Sequence, residues 1–284
     1  MSGVLTSHDD GNVLYSPQTA ASAADAAVNV FTSEPAWLLA RRRLSDQVHM
    51  LTLQAPAGFV WRAGQYIALP AAGETLYLSI ANTFDGSGRL EVVVGLPSEI
   101  AAPERGLAGL EGSGLEQRAA VRLAALPLGG RLHIEGPYGS MCGEDDAPSG
   151  AEETRVLVGH GTGIAPLRAL WQAARRRNQP TLVIQGARTA ADLLFCQEFS
   201  APRPGEDASR AAALYWPTLT AASADWTGRR GRVQNTFAEL SAWVRGKRVA
   251  VFACGRQAMV DDLRGSLLES GCITESQLRC EAHG

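Results

Sequence analysis

Residues 154–177, TRVLVGHGTGIAPLRALWQAARRR, constrain this chain more than any other stretch. An apolar run ends in three alternate glycines, Gly159, Gly161 and Gly163, and an amphipathic run follows at once. Buried strand, tight turn and helix, in that order, open a parallel α/β sheet. Glycines at such a turn let the backbone approach a phosphate closely. The helix start adds free N–H groups and the positive end of its dipole. Thr162 lies between the last two glycines, and Pro166 suits the first helical turn. A tight turn with no ligand would need the same residues, so on this motif alone both readings stay open.

The rhythm continues to the end of the chain. TLVIQGART (181–189), ALYWPTLT (213–220) and RVAVFACG (248–255) read as strands. ADLLFCQEF (191–199), RVQNTFAELSAWV (232–244) and QAMVDDLRGSLLESG (257–271) read as helices. Strands alternating with helices predict a doubly wound parallel sheet, whose ligands bind beyond the carboxyl ends of the strands. Cys254 and Gly255 fall at such an end, on the same edge as the glycine turn. A lone Cys254 reads as a small buried hydrophobe. The two motifs together, in this order, point to a dinucleotide site.

The first half has a different texture. Two strand-like runs flank a Ser-Asp turn in WLLARRRLSDQVHMLTLQAP. FVWRAGQYIALP, TLYLSIAN, GRLEVVVGLP and GGRLHIEGPYG follow. Short strands separated by turn residues predict an antiparallel β-barrel. A Gly/Ala/Glu/Arg-rich insertion at 98–120 interrupts it. The acidic GEDDAPSGAEE (143–153) reads as an interdomain linker. The expected organisation is an extension over 1–34, a barrel domain over 35–148 and an α/β domain over 149–284. The extension, rich in Ala, Ser, Thr and Asp, reads as loosely docked.

Composition excludes several classes. The net charge of −3 argues against non-specific nucleic-acid binding. The five cysteines, Cys142, Cys196, Cys254, Cys272 and Cys280, form no C-x-x-C pair, so neither a disulfide framework nor a metal cluster is expected. No apolar run approaches the ~18–20 residues that span a bilayer. No Lys or Arg precedes Arg41 to form a signal peptide's charged start. The expected location is the cytoplasm, with no membrane partner.

AGQYIAL (63–69), LSIAN (78–82), GGRLHIEGPYG (129–139), GHGTGIAPLRALW (159–171), GARTAADLLF (186–195), DWTGRRGRV (225–233) and ACGRQAMVDDLRGSLLESG (253–271) together resemble the ferredoxin–NADP reductase superfamily, in order and in spacing. The resemblance covers the chain from about Ala36 onward. It implies an FAD-binding barrel followed by an NAD(P)-binding domain, and electron transfer between a nicotinamide and FAD. By the same resemblance, Ser79 lies near the flavin's reactive nitrogen, within the flavin-edge strand Leu76-Tyr77-Leu78-Ser79-Ile80 that leads to Asn82. Gly136, Pro137, Tyr138 and Gly139 form the turn at the flavin phosphates. Gly159, Gly161, Thr162 and Gly163 support the dinucleotide, and Cys254 and Gly255 sit beside the nicotinamide. Glu281 and His283 stand where the family closes with Glu-Ala-aromatic, so Glu281 joins Ser79 and Cys254 as a catalytic candidate.

The sequence also departs from the family. The arginine that pairs with the FAD pyrophosphate is replaced by Leu76, a loss of ~1.5–3 kcal/mol for a charge-assisted contact. The tyrosine that lies against the flavin ring is replaced by Leu78, a further ~0.5–1.5 kcal/mol. Tyr77 is expected to point to the opposite face and not to replace it. Arg118, in the insertion, is a candidate substitute cation, with a solvated surface charge as the plainer reading. Arg188 follows the second strand, and Arg229, Arg230 and Arg232 lie further on. They could recognise a 2′-phosphate, but no lysine or tyrosine joins them, which leans toward NADH over NADPH. The chain carries no iron–sulfur or haem signature, so a separate acceptor is implied: a ferredoxin, an oxygenase component or free flavin. The competing reading is a nucleotide-binding subunit of a larger redox complex that holds flavin loosely or not at all.

Overall fold

The computed structural model describes residues 35–71, 74–96, 115–142, 153–202, 205–209 and 214–283. The extension over 1–34, the insertion up to residue 114 and nearly all of the acidic linker lie outside the described residues.

Among the described residues, seven antiparallel strands build the first half. One sheet orders its strands β5-β2-β1-β6 and a second orders them β4-β3-β7. The first contains β1 (Pro35–Arg43), β2 (Val48–Gln54), β5 (Arg89–Gly95) and β6 (Arg131–His133). The second contains β3 (Tyr66–Ala71), β4 (Glu74–Ser79) and β7 (Glu135–Tyr138). A bridge between Ile80 and Val92 joins the two sheets. Leu38, Leu51, Leu53, Ile67, Leu69, Leu76, Leu78 and Val94 fill the space between them. Helix α1 (Leu115–Ala125) adds Ala120, Val121 and Ala124 to that core. The tail of the 98–120 insertion is thus a helix that packs into the barrel.

The second half is a six-stranded parallel sheet of order β11-β10-β9-β8-β12-β13. It comprises β8 (Thr154–His160), β9 (Thr181–Ala187), β10 (Tyr215–Leu219), β11 (Arg229–Arg230), β12 (Val249–Arg256) and β13 (Leu278–His283). The crossover helices are α2 (Ile164–Arg176), α3 (Cys196–Ser200), α4 (Phe237–Val244) and α5 (Gln257–Arg264). Strands β8 and β12 are buried on both faces, which explains their unbroken apolar runs. The expected helix over 191–199 forms only in part, as one 3-10 turn (Ala190–Asp192) and the short α3. Between them Phe195 adopts a left-handed conformation, φ 58°. Strand β13 was not expected from the sequence. It pairs in parallel with β12 and sets Glu281 beside Cys254. Among the described residues, no helix is long and apolar enough to cross a membrane.

Candidate functional site

The site grows from the carboxyl ends of β8 and β12. After Gly159 the chain makes a 3-10 turn, Gly161–Gly163, and runs straight into α2. Two of these glycines are demanded by packing. A β-carbon on Gly163 would lie 2.5 Å from the Cys254 carbonyl oxygen, and one on Gly159 would lie 2.7 Å from Leu167. Gly255 faces the end of the Met259 side chain and the His160 ring. His160 Nε2 in turn accepts a hydrogen bond from the Arg256 backbone N–H at 3.3 Å. Gly161 differs: it has φ 55° and a β-carbon there would meet nothing within 4 Å. Gly161 and Thr162 are exposed, so this corner is the part of the turn open to a ligand. A β-carbon on Gly95 of the barrel would sit 3.4 Å from the Thr162 methyl, which places the turn at the seam between the two halves.

The barrel side of the seam is aromatic. Ser79 pairs with Tyr66, and Tyr66 pairs with Tyr138 on its other side. The Tyr66 ring meets Tyr77 edge-on at 5.9 Å and Tyr138 at 5.8 Å. Tyr77 is 50% exposed. Gly136 and Gly139 flank Tyr138 with φ values of 125° and 102°, conformations that favour glycine. Pro137 is buried between them. A β-carbon on Gly139 would approach the Tyr66 ring at 3.0 Å and the Glu281 carboxylate at 3.2 Å. Glu281 therefore reaches from β13 to the aromatic face. Burial pushes its carboxyl up to about 7. Cys254 is fully enclosed, and burial first, then Glu281 and Cys280, hold its thiol well above the ordinary range. The Cys254 side chain packs into the core of the α/β half.

The structure corrects several expectations. Leu76 and Leu78 face the barrel core, at 5% and 6% exposure, and cannot contact a cofactor on the outer face. Ile80 is likewise fully buried. It is Tyr77 that shares a face with Ser79 and Tyr66, because residues alternate along β4. Asn82 is occupied elsewhere. Its amide accepts from the Glu91 N–H at 2.8 Å and donates to the Arg89 carbonyl at 2.8 Å, closing the β4–β5 turn. Arg229 forms a bidentate pair with Glu239 and stacks on Trp216 at 4.2 Å. Arg230 donates to three carbonyls in 222–226. Arg188 and Arg232 remain exposed, and Arg188 stands just past the end of β9. The backbone of Arg118 lies in α1 and that of His283 pairs with Arg256, but both side chains lie outside the described residues. The described residues hold no cluster of His, Cys, Asp or Glu suited to a metal ion.

Residues 157–265 match the family model of the oxidoreductase NAD-binding domain. The chain is 30% identical over 239 residues to ferredoxin–NADP reductase B of Sorangium cellulosum, covering 80% of this chain and 88% of that one. The chain belongs to the ferredoxin–NADP reductase family. It is accordingly an NAD(P)H-dependent flavin oxidoreductase. Solved structures agree in fold. A ferredoxin NADP+ reductase from Neisseria gonorrhoeae with bound FAD and NADP aligns with TM-score 0.67 at 16% identity, over 88% of this chain and 98% of that one. An Amycolatopsis cytochrome P450 reductase aligns with TM-score 0.67 at 23% identity, over 90% and 70%.

A flavin-linked reductase needs a flat aromatic surface for the flavin ring and a backbone cradle for a dinucleotide, one in each half. The tyrosine face and the open corner at Gly161 fit these two needs. A cleft of about 1120 Å³ between the barrel and α2 lies apart from them and shares only Asn82 with the residues expected from the sequence. Two features could not be read from sequence: the role of Tyr66, which only strand pairing reveals, and a set of bonds from α2 to the barrel, whose residues look like an ordinary polar helix face.

Proposed function

We propose that this chain takes electrons from a reduced nicotinamide dinucleotide and passes them, through FAD, to a separate acceptor. The barrel over 35–148 holds the flavin and the α/β half over 149–284 holds the dinucleotide. One observation carries this reading: Glu281, from the dinucleotide half, closes on the Tyr66–Gly139 corner of the barrel's aromatic face. FAD, when bound, supplies the hydride-accepting and one-electron chemistry. Tyr77, Tyr66 and Tyr138 offer the surface on which its ring rests, and Ser79 is the polar group at the edge of that surface. Gly161 and Thr162 receive the dinucleotide. Glu281, near neutrality, holds or releases a proton at its carboxylate beside the ring edge.

With Arg229 and Arg230 engaged, the choice between NADH and NADPH rests on Arg188 and Arg232. The reductase components of oxygenase and P450 systems among the fold's relatives support a protein acceptor of that type. The reading of the chain as a mere binding subunit rested largely on Leu76 and Leu78. Both serve the barrel core, so their apolar character no longer argues for a lost flavin site.

The test is the visible spectrum of the purified protein, before and after FAD, then under anaerobic NADH or NADPH. A flavin band that bleaches with either dinucleotide is expected. Failure to retain flavin, together with failure to reduce free flavin, would overturn the proposal.

A further inference from the structure

Helix α2 does more than carry the glycine turn. Arg168, Gln172 and Arg176 recur every fourth residue, so they form one stripe along the helix. Each is bonded to the barrel segment just beyond Ser79. Arg168 Nη1 donates to the Ala81 carbonyl at 2.9 Å, Gln172 Oε1 accepts from the Thr83 N–H at 3.2 Å, and Arg176 Nη1 donates to the Phe84 carbonyl at 3.3 Å. Arg168 is the most heavily engaged of the three. It is 7% exposed and also pairs with Glu91 of the barrel at 2.6 Å. Its other edge pairs with Glu198 of α3, at 2.8 and 3.1 Å. Its guanidinium lies 4.5 Å over the ring of Phe195, the residue whose left-handed conformation starts α3.

We infer that Arg168 is a positioning residue: a clasp that fixes the barrel against the α/β half and so sets the separation between Ser79 and the Gly161–Gly163 turn. Three observations converge on this. The guanidinium reaches both halves at once, through Glu91 and Ala81 on one side and Glu198 on the other. The same helix begins at the dinucleotide turn, so a shift of α2 moves that turn directly. The bonded barrel segment follows Ser79 within two residues, so the clasp grips the flavin-side strand next to its candidate functional end. A lysine has one ammonium group and cannot supply this fork of donors in fixed directions. The inference rests on the redox reading only where it concerns rate; the clasp itself concerns geometry.

The experiment pairs a distance measurement with kinetics. Spin labels are placed at Val60 on the barrel and Arg245 beyond α4 through a bio-orthogonal side chain, leaving the native cysteines untouched. Pulsed-EPR distance distributions are recorded for wild type, Arg168→Lys, Arg168→Ala and Glu91→Gln. Glu91→Gln keeps the shape of the side chain and weakens only the barrel leg, so it decides the matter if Arg168→Ala fails to fold. A narrow wild-type distribution that broadens in Arg168→Lys and Glu91→Gln is expected. Flavin reduction at saturating dinucleotide should fall at least tenfold, with flavin retention and dinucleotide KM within about twofold of wild type. Unchanged distributions in the folded variants would overturn the clasp, as would a parallel loss of kcat, KM and flavin retention. If wild type shows the narrow distribution and the variants broaden it, while no dinucleotide reduces flavin in any of them, the clasp stands and the redox proposal falls.

Discussion

Strand β4 and the β8–α2 turn both carry family signatures, but they carry them differently. At the β8–α2 turn the signature lies in the backbone. Gly159 and Gly163 are glycines because the Cys254 carbonyl and Leu167 leave no room for a side chain. Along β4 the signature lies in side chains, and its meaning depends on which face each one takes. A displacement of one residue along a strand exchanges the core face for the outer one. Counting along the motif assigns the ring position to Leu78; strand pairing turns Leu78 into the core and puts Tyr77 on the outer face with Ser79. A steric demand for glycine admits few substitutes, so the backbone signature is the easier of the two to read from the sequence.

The sharpest way to break this contrast is to add one methyl group at the turn. Gly163→Ala should destabilise the protein by roughly 3 kcal/mol, because the obstructing atoms are backbone. That lowers Tm by roughly 6–12 °C in a chain of this size. Gly161→Ala should cost only ~1 kcal/mol, for its left-handed backbone, yet weaken dinucleotide binding. Calorimetry and dinucleotide titration on the two variants check this. Equal losses of stability would show that the two glycines do not differ in kind.

Restoring the family tyrosine tests the strand. Leu78→Tyr should not improve flavin affinity and should destabilise by about 2 kcal/mol, because it drives a hydroxyl into the barrel core. Tighter flavin binding in this variant would return the ring position to residue 78. Tyr77→Leu is the converse. It should leave Tm within about 2 °C and weaken flavin binding by ~1 kcal/mol, or about fivefold, measured by fluorescence titration.

A separate test concerns pH. Glu281 titrates higher in the folded protein than an unfolded glutamate, so its contribution to stability is complete below about 4.5 and is lost as pH rises through about 7. Glu281→Gln should flatten the fall of Tm across that window and remove an ionisation near 7 from the pH profile of flavin reduction. A wild-type slope retained in the variant would assign that proton elsewhere.

Much of the molecule was legible in advance. The strand–helix alternation after Thr154 gave the parallel sheet, since buried parallel strands need uninterrupted apolar runs. The Ser-Asp turn at 45–46 gave the β1–β2 hairpin, and the Asp-Gly-Ser-Gly turn at 85–88 gave the passage from β4 in one sheet to β5 in the other. Strand β13 escaped notice because LRCEAH mixes polar and apolar residues without a clear period, and it becomes a strand only by pairing with β12. Asn82 closes a turn, and an asparagine that does so looks the same in sequence as one that binds a ligand. Tyr66, Tyr77 and Tyr138 come together through strand pairing across some 70 residues of sequence, a proximity that local pattern does not encode.

Helix α2 can be regarded as a lever arm. Its 13 residues span about 20 Å, with the glycine turn at one end and the Arg176 bond at the other. Pivoting such a rod by about 5° about its far end would carry the turn ~1.7 Å, a misplacement of the size that can cost a reaction about 10²-fold. Small angular play at the seam would therefore be magnified at the chemistry, and the three bonds along the shaft are spaced to suppress it.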